Sequence, residues 1–169
     1  MYSLNIPLPS SVTSLAGRLA HDLPQARARP RGEHTLVAKR LGDGDHAADA
    51  RLEARARDAV RGIAPFEVRV IGIDCFETAV TGPSPVVYLA VESAQLRALH
   101  ERLCEAFDAV EGMEADAYIP HVTIARGGDP AAARRLVERD IDPVTWAVEE
   151  LAFFDAERGQ SVSRISLPA

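Results

Sequence analysis

The sequence predicts an α+β fold built on antiparallel sheets, and two observations carry the prediction. β-prone and helix-spaced segments alternate along the chain, as expected of one compact unit of mixed class spanning residues 1–169. Several neighbouring β-prone segments are joined by connections too short for a parallel crossover, so those strands pair antiparallel. The order strand, helix, strand, helix, strand, strand, helix, strand, helix, strand, strand further suggests two lobes, although no residue-level repeat is visible.

The first strand is "YSLNIPL" (2–8), which runs into a Pro-x-Pro-Ser-Ser turn; "SVTSLAGRLAHDL" (11–23) follows with helical spacing behind a Ser cap. "PQARARPRG" (24–32) has no periodicity and reads as an exposed loop. "EHTLVAKRLG" (33–42) is β-prone, "DGDHAAD" (43–49) is a polar break, and residues 47–62 form an Ala- and Arg-rich helix closed by Gly62. "PFEVRVIGIDCFET" (65–78) is one long strand with a face shift near Gly72, and "VVYLAVE" (86–92) pairs with it after a "GPSP" turn. Helix 93–110 carries Leu96, Leu99, Leu103, Ala106 and Phe107 on one face behind Ser93. A strand through "AYIPHVTIARGG" (117–128), a short helix "DPAAARRLVERD" (129–140), and two strands at 144–157 and 160–169 close the chain.

With 47% hydrophobic and 26% charged residues, the composition is that of an ordinary folded protein. No apolar run reaches the roughly 18 residues that span a bilayer, and the start lacks the pattern of a signal peptide, so the expected location is the cytoplasm, with no membrane partner. A net charge of −6 argues against broad, non-specific nucleic-acid binding, while a small or locally bound phosphate ligand stays open. Cys75 and Cys104 lack the spacing of a metal knuckle or redox pair and are expected as small apolar fillers.

Of the five histidines, His21 and His100 fall in helices and His46 in a polar loop, where surface or loop roles are expected. His121 differs. In a strand, residues i and i+2 share a face, so "PHVTIAR" projects His121 and Thr123 together while Val122 and Ile124 point into packing. His34 stands in a second β-prone run, again beside a threonine, Thr35, about half a chain away. Two imidazoles with hydroxyls suit a phosphodiester: one takes a proton from the attacking oxygen, the other protonates the leaving oxygen, and the hydroxyls hold phosphate oxygens. With an unperturbed pKa of about 6.5, histidine supplies either protonation state near neutrality. Such a scheme needs neither metal nor cofactor.

These residues resemble the two-histidine phosphoesterase superfamily, in its branch of 2′-5′ RNA ligase-like proteins or RNA 2′,3′-cyclic phosphodiesterases. That family's mark is two His-x-Thr-x motifs on strands half a chain apart. "PHVTIAR" matches the second motif, and "SPVVYLAVESAQLRALHERLCEAF", "FFDAERGQSVSRISLP" and "YSLNIPLP" resemble its flanks, so the likeness covers nearly the whole chain. The resemblance implies two α+β lobes with antiparallel sheets lining a central cleft and helices outside. It also implies catalytic His34 and His121, with RNA ends or small cyclic nucleotides as substrates and a monomer as the working form. The expected activity is hydrolysis of 2′,3′-cyclic phosphates to 2′-phosphates, with reversible 2′-5′ ligation as the reverse chemistry. The alternative is a nucleotide- or RNA-binding protein of the same fold with impaired catalysis.

The first motif departs from the pattern, because Thr35 follows His34 directly. A β-bulge would restore a shared face, the hydroxyl is otherwise lost from the cleft, or Glu33 takes the histidine position with Thr35 in register. Counting back from "RLG" favours His34. Thr35 and Thr123 are the expected phosphate-orienting hydroxyls, Arg126 the neutralising cation and Tyr118 a base-stacking ring. Lys39, Arg40, Arg27, Arg29 and Arg31 are further candidate cations, each as readily read as a solvated charge.

Overall fold

The computed structural model describes residues 1–43 and 46–169, the side chains of 46–49 excepted. Its elements are β1 (Tyr2–Ile6), α1 (Ser10–Ala20), β2 (Arg27–Ala28), β3 (Leu36–Gly42), α2 (His46–Ala59), β4 (Phe66–Phe76), β5 (Val86–Glu92), α3 (Ala94–Ala106), β6 (His121–Arg126), α4 (Pro130–Val137), β7 (Val144–Val148), β8 (Glu150–Asp155) and β9 (Gln160–Ser166). The α+β class is as the sequence predicts.

The strands form one antiparallel sheet in the order β7-β4-β5-β6-β3-β1-β8-β9, with β2 pairing β6. The two halves of the chain meet at the middle of this path, where β3 and β6 register through Leu36 opposite Val122. The run 144–157, expected as one strand, is two: β7 pairs β4 near one end of the path, whereas β8 pairs β1 and β9 at the other. Only Glu149 separates them, so the ends of the path must approach each other and the sheet must curl. Curling gives the sheet an inner and an outer face.

Alternation along the strands sorts the residues between those faces. Leu4, Ile6, Leu36, Val122 and Ile124 are fully buried with Val12, Ala16 and Leu19 of α1 and Leu96, Leu99 and Leu103 of α3 in one core. α3 starts where expected, with Ser93 Oγ accepting from the Leu96 amide at 3.2 Å. The expected face shift in β4 is a register slip between Val70 and Gly72 against β5.

Two other expectations change. The segment 24–32 is not all loop, because β2 pairs with β6 and the Arg29 amide donates to the Ile124 carbonyl at 2.9 Å. The run 33–42 becomes a strand only at Leu36, so Glu33, His34 and Thr35 precede β3. The polar break at 43–49 lies partly outside the described residues, and α2 begins within it at His46. Among the described residues no helix is long and apolar enough to cross a membrane.

Candidate active site

The inner face of the sheet opens into a cavity of about 640 Å³. Its floor follows from strand parity: Ser3 and Asn5 of β1, Val37 of β3, and His121 and Thr123 of β6 face inward, opposite the core residues that alternate with them. Arg126 joins them although it is an odd number of residues from Thr123. The β5–β6 register pairs Val87 with Ala125 and Tyr88 with Thr123, leaving Ile124 as the extra residue of a bulge. The bulge reverses the parity and brings Arg126 to the same side as His121.

His121 is wedged between Phe76, edge-on at 5.2 Å, and Tyr88 at 5.1 Å between ring centroids. Its Nδ1 lies 2.7 Å from the Ile119 carbonyl oxygen, which can only accept, so Nδ1 carries the proton and Nε2 is left with a lone pair. Burial, reinforced by the guanidiniums of Arg40, Arg126 and Arg29 and partly opposed by the Ile119 carbonyl, holds the imidazole pKa below its ordinary 6.5. The ring is therefore a neutral base at physiological pH.

The first motif divides differently from the preferred reading of the sequence. Glu33 and Thr35 line the cavity; His34 does not. Thr35 and Val37 are inward and Leu36 is in the core, so His34, two residues before Leu36, takes the side away from the cleft. Both its ring nitrogens are shielded from solvent and lack a hydrogen-bond partner among the described residues. Burial, with repulsion from Arg29, lowers its pKa against the pull of Glu33. The two imidazoles are thus not brought into one cavity, and the inward proton-transfer groups are His121 and Glu33.

Tyr118 lines the cavity but is 5% exposed, with its ring stacked on His100 at 3.7 Å and its hydroxyl donating to the Val37 carbonyl at 2.8 Å. Burial raises its phenol pKa. With one ring face and the hydroxyl committed, Tyr118 is a wall of the cleft and not the base-stacking platform expected.

Behind that wall lies a polar cluster the sequence did not announce. Lys39, the chain's one lysine, is fully buried, and its Nζ donates to Glu114 Oε2 at 2.6 Å, Arg40 O at 2.7 Å and Asp108 O at 2.8 Å. Glu114 also accepts from the Arg40 amide at 2.8 Å and the Val110 amide at 2.9 Å. Burial alone would push its carboxyl pKa up, but Lys39 and these amides together hold it below the usual range. His100, expected on a helix surface, is 1% exposed. Its Nδ1 donates to the Ala38 carbonyl at 2.7 Å and its Nε2 accepts from the Ala115 amide at 2.9 Å, which fixes one tautomer. These bonds pin residues 108–118 to β3. Cys104 Sγ lies 3.4 Å from the same Nε2, and Cys75 packs against the core; both are free and half-buried.

The family model of the 2′-5′ RNA ligase superfamily matches residues 11–160. The chain belongs to this superfamily. Its fold is shared, at 22% identity and a TM-score of 0.67, with the TT0787 protein of Thermus thermophilus, over 98% of this chain and 97% of that one. Escherichia coli LigT complexed with 3′-AMP is 15% identical, with a TM-score of 0.66 over 99% and 98% of the two chains. A solved phosphoesterase matches at 16% identity and a TM-score of 0.63, over 98% and 97%. No curated protein sequence matches the chain.

Besides His121, Thr123 and Arg126, the cleft of this chain carries the inward Glu33-x-Thr35 and two further arginines, Arg29 and Arg40. Sequence reading left both arginines among interchangeable surface charges. Their signal was positional: Arg29 directly follows a strand that pairs with β6, and Arg40 directly follows the buried lysine.

Proposed function

We propose that the protein is a phosphoesterase that opens 2′,3′-cyclic phosphates, on RNA ends or small nucleotides, to 2′-phosphates. The observation that carries this reading is His121 itself: a neutral, oriented imidazole beside the inward hydroxyls of Thr123 and Thr35 and the guanidinium of Arg126. Nε2 takes a proton from water as the water oxygen attacks phosphorus; the bond from phosphorus to the ribose 3′ oxygen breaks, and that oxygen receives a proton from the group opposite. Glu33, the ionisable side chain of the first motif that lines the cleft, is assigned that second role in place of His34, donating from its protonated carboxyl form. The threonine hydroxyls and Arg126 hold the non-bridging oxygens, where charge accumulates. In the ligation direction the two proton-transfer groups exchange roles. The nucleotide complexes of E. coli LigT, with 3′-AMP and NADP+, support a nucleotide as the occupant.

A second reading has its own observation: among the described residues that line it, the cleft receives one imidazole, which favours a nucleotide-binding protein with impaired catalysis. A pH–rate profile on a nucleoside 2′,3′-cyclic phosphate separates the two. Catalysis that needs a proton acceptor at His121 and a proton donor opposite it gives a bell with two titrating limbs. Background turnover without such a limb selects the binding reading.

A further inference from the structure

In a chain of net charge −6, three guanidiniums, those of Arg29, Arg40 and Arg126, line one cavity whose only carboxylate among the described lining residues is Glu33. Among the described residues, the Arg126 side chain is tied only to the Thr81 carbonyl, at 2.9 Å. Arg29 makes no side-chain ion pair among the described residues. Arg40 lies 3.6 Å from Glu114, but that carboxylate is already engaged by Lys39 and two backbone amides, so the contact orients the guanidinium without neutralising it. The three cations also feel one another: burial and the charges of Arg29 and Arg40 lower the pKa of Arg126. Uncompensated like charges held together destabilise a fold unless an anion joins them.

Their placement matters as much as their number. β3 runs antiparallel to β6 with Leu36 opposite Val122, so Arg40 lies beyond His121 along the sheet while Arg126 and Arg29 lie beyond Thr123. At about 3.3 Å per residue, the backbones of Arg40 and Arg126 are on the order of 20 Å apart. Arg40 and Arg126 therefore line the cavity from opposite ends of the His121–Thr123 segment. A 2′,3′-cyclic phosphate carries one negative charge, which Arg126 and the threonines suffice to hold.

We infer that the cleft takes a substrate with a second phosphoryl group besides the reacting one, an oligonucleotide end or a 5′-phosphorylated nucleotide, and that Arg40 binds this second group. Arg40 is thereby a specificity-determining residue, and the buried Lys39–Glu114 pair is what aims it. The inference rests on the phosphoesterase reading for its kinetic form, but it is also testable by binding alone.

The experiment compares a nucleoside 2′,3′-cyclic phosphate with its 5′-phosphorylated counterpart, using wild type, Arg40→Ala and Arg40→Lys. The wild type is expected to favour the 5′-phosphorylated substrate in kcat/KM by about tenfold to a hundredfold, the value of one charged hydrogen-bonding contact. Arg40→Ala collapses that ratio toward one, and Arg40→Lys, which keeps the charge, retains part of it. In parallel, calorimetric titration with a nucleoside 3′,5′-bisphosphate and a 3′-monophosphate reads the same preference without turnover. A wild-type ratio near one in both assays, or equal losses on both ligands in Arg40→Ala, overturns the inference. No turnover with a bisphosphate preference that Arg40→Ala erases overturns the catalytic reading and leaves the second-phosphate site standing.

Discussion

Replacing Lys39 with methionine keeps most of the aliphatic stem and removes the charge that faces Glu114. The carboxylate is then left buried with two backbone amides and the Arg40 guanidinium 3.6 Å away, while the Asp108 and Arg40 carbonyls lose their shared donor. Breaking a buried pair from one side costs roughly 3–5 kcal/mol. Because Glu114 keeps three favourable neighbours, the lower end applies, about 3 kcal/mol. In a chain of 169 residues this lowers Tm by about 6–12 °C. Urea unfolding at pH 7 is the assay, read as a shift in midpoint at constant slope. The double variant Lys39→Met/Glu114→Gln removes the stranded charge and is expected to recover at least about 1 kcal/mol over Lys39→Met alone. A single variant within about 1 kcal/mol of wild type, or a double variant no better than the single, would refute the account of this cluster.

Other consequences are equally concrete. The folded pKa values of His34, His100 and His121 are lowered, so the unfolded chain binds more protons. Stability is therefore full above about pH 6.5 and falls as pH drops below it, which urea midpoints between pH 5 and 8 will show. Glu33→Gln is expected to lower kcat on a 2′,3′-cyclic phosphate by about two orders of magnitude while His34→Ala changes it by less than about threefold; the reverse result returns the catalytic role to His34. Gly128 has φ +81°, and a Cβ there would lie 2.8 Å from the Ala26 nitrogen, so Gly128→Ala should cost at least about 2 kcal/mol and loosen β2 from β6. Gly32→Ala, at φ +87° but in open space, should cost only about 1–2 kcal/mol, and thermal melts compare the two.

What the sequence disclosed and what it hid divide along physical lines. Segments with a single strong period were legible: α3 behind Ser93, the β4–β5 pair with its slip at Gly72, and the shared face of His121 and Thr123 in β6. The split of 144–157 was not, because "VTWAVEELAFFDAE" keeps strand composition through Glu149 and only the curl of the sheet assigns its halves to different partners. The facing of the first motif was open in the sequence, since His34 and Thr35 are adjacent; where regular extension resumes at Leu36 decides it for Thr35 and Glu33. Arg126 faces inward only through the bulge at Ile124, which arises from pairing with β5 and has no local signature. Lys39 and His100 owe their burial to partners far away in the chain, Glu114 at 75 residues from Lys39 and Ala38 at 62 from His100, and no local pattern announces such partners.

The most direct test of the central claim is turnover of a nucleoside 2′,3′-cyclic phosphate by wild type and His121→Ala, with the product identified as the 2′- or 3′-phosphate. The account predicts a 2′-phosphate and a loss of roughly two to four orders of magnitude in kcat for the variant, with its thermal melt showing a folded chain. A folded His121→Ala protein that turns over the substrate within about threefold of wild type would contradict it.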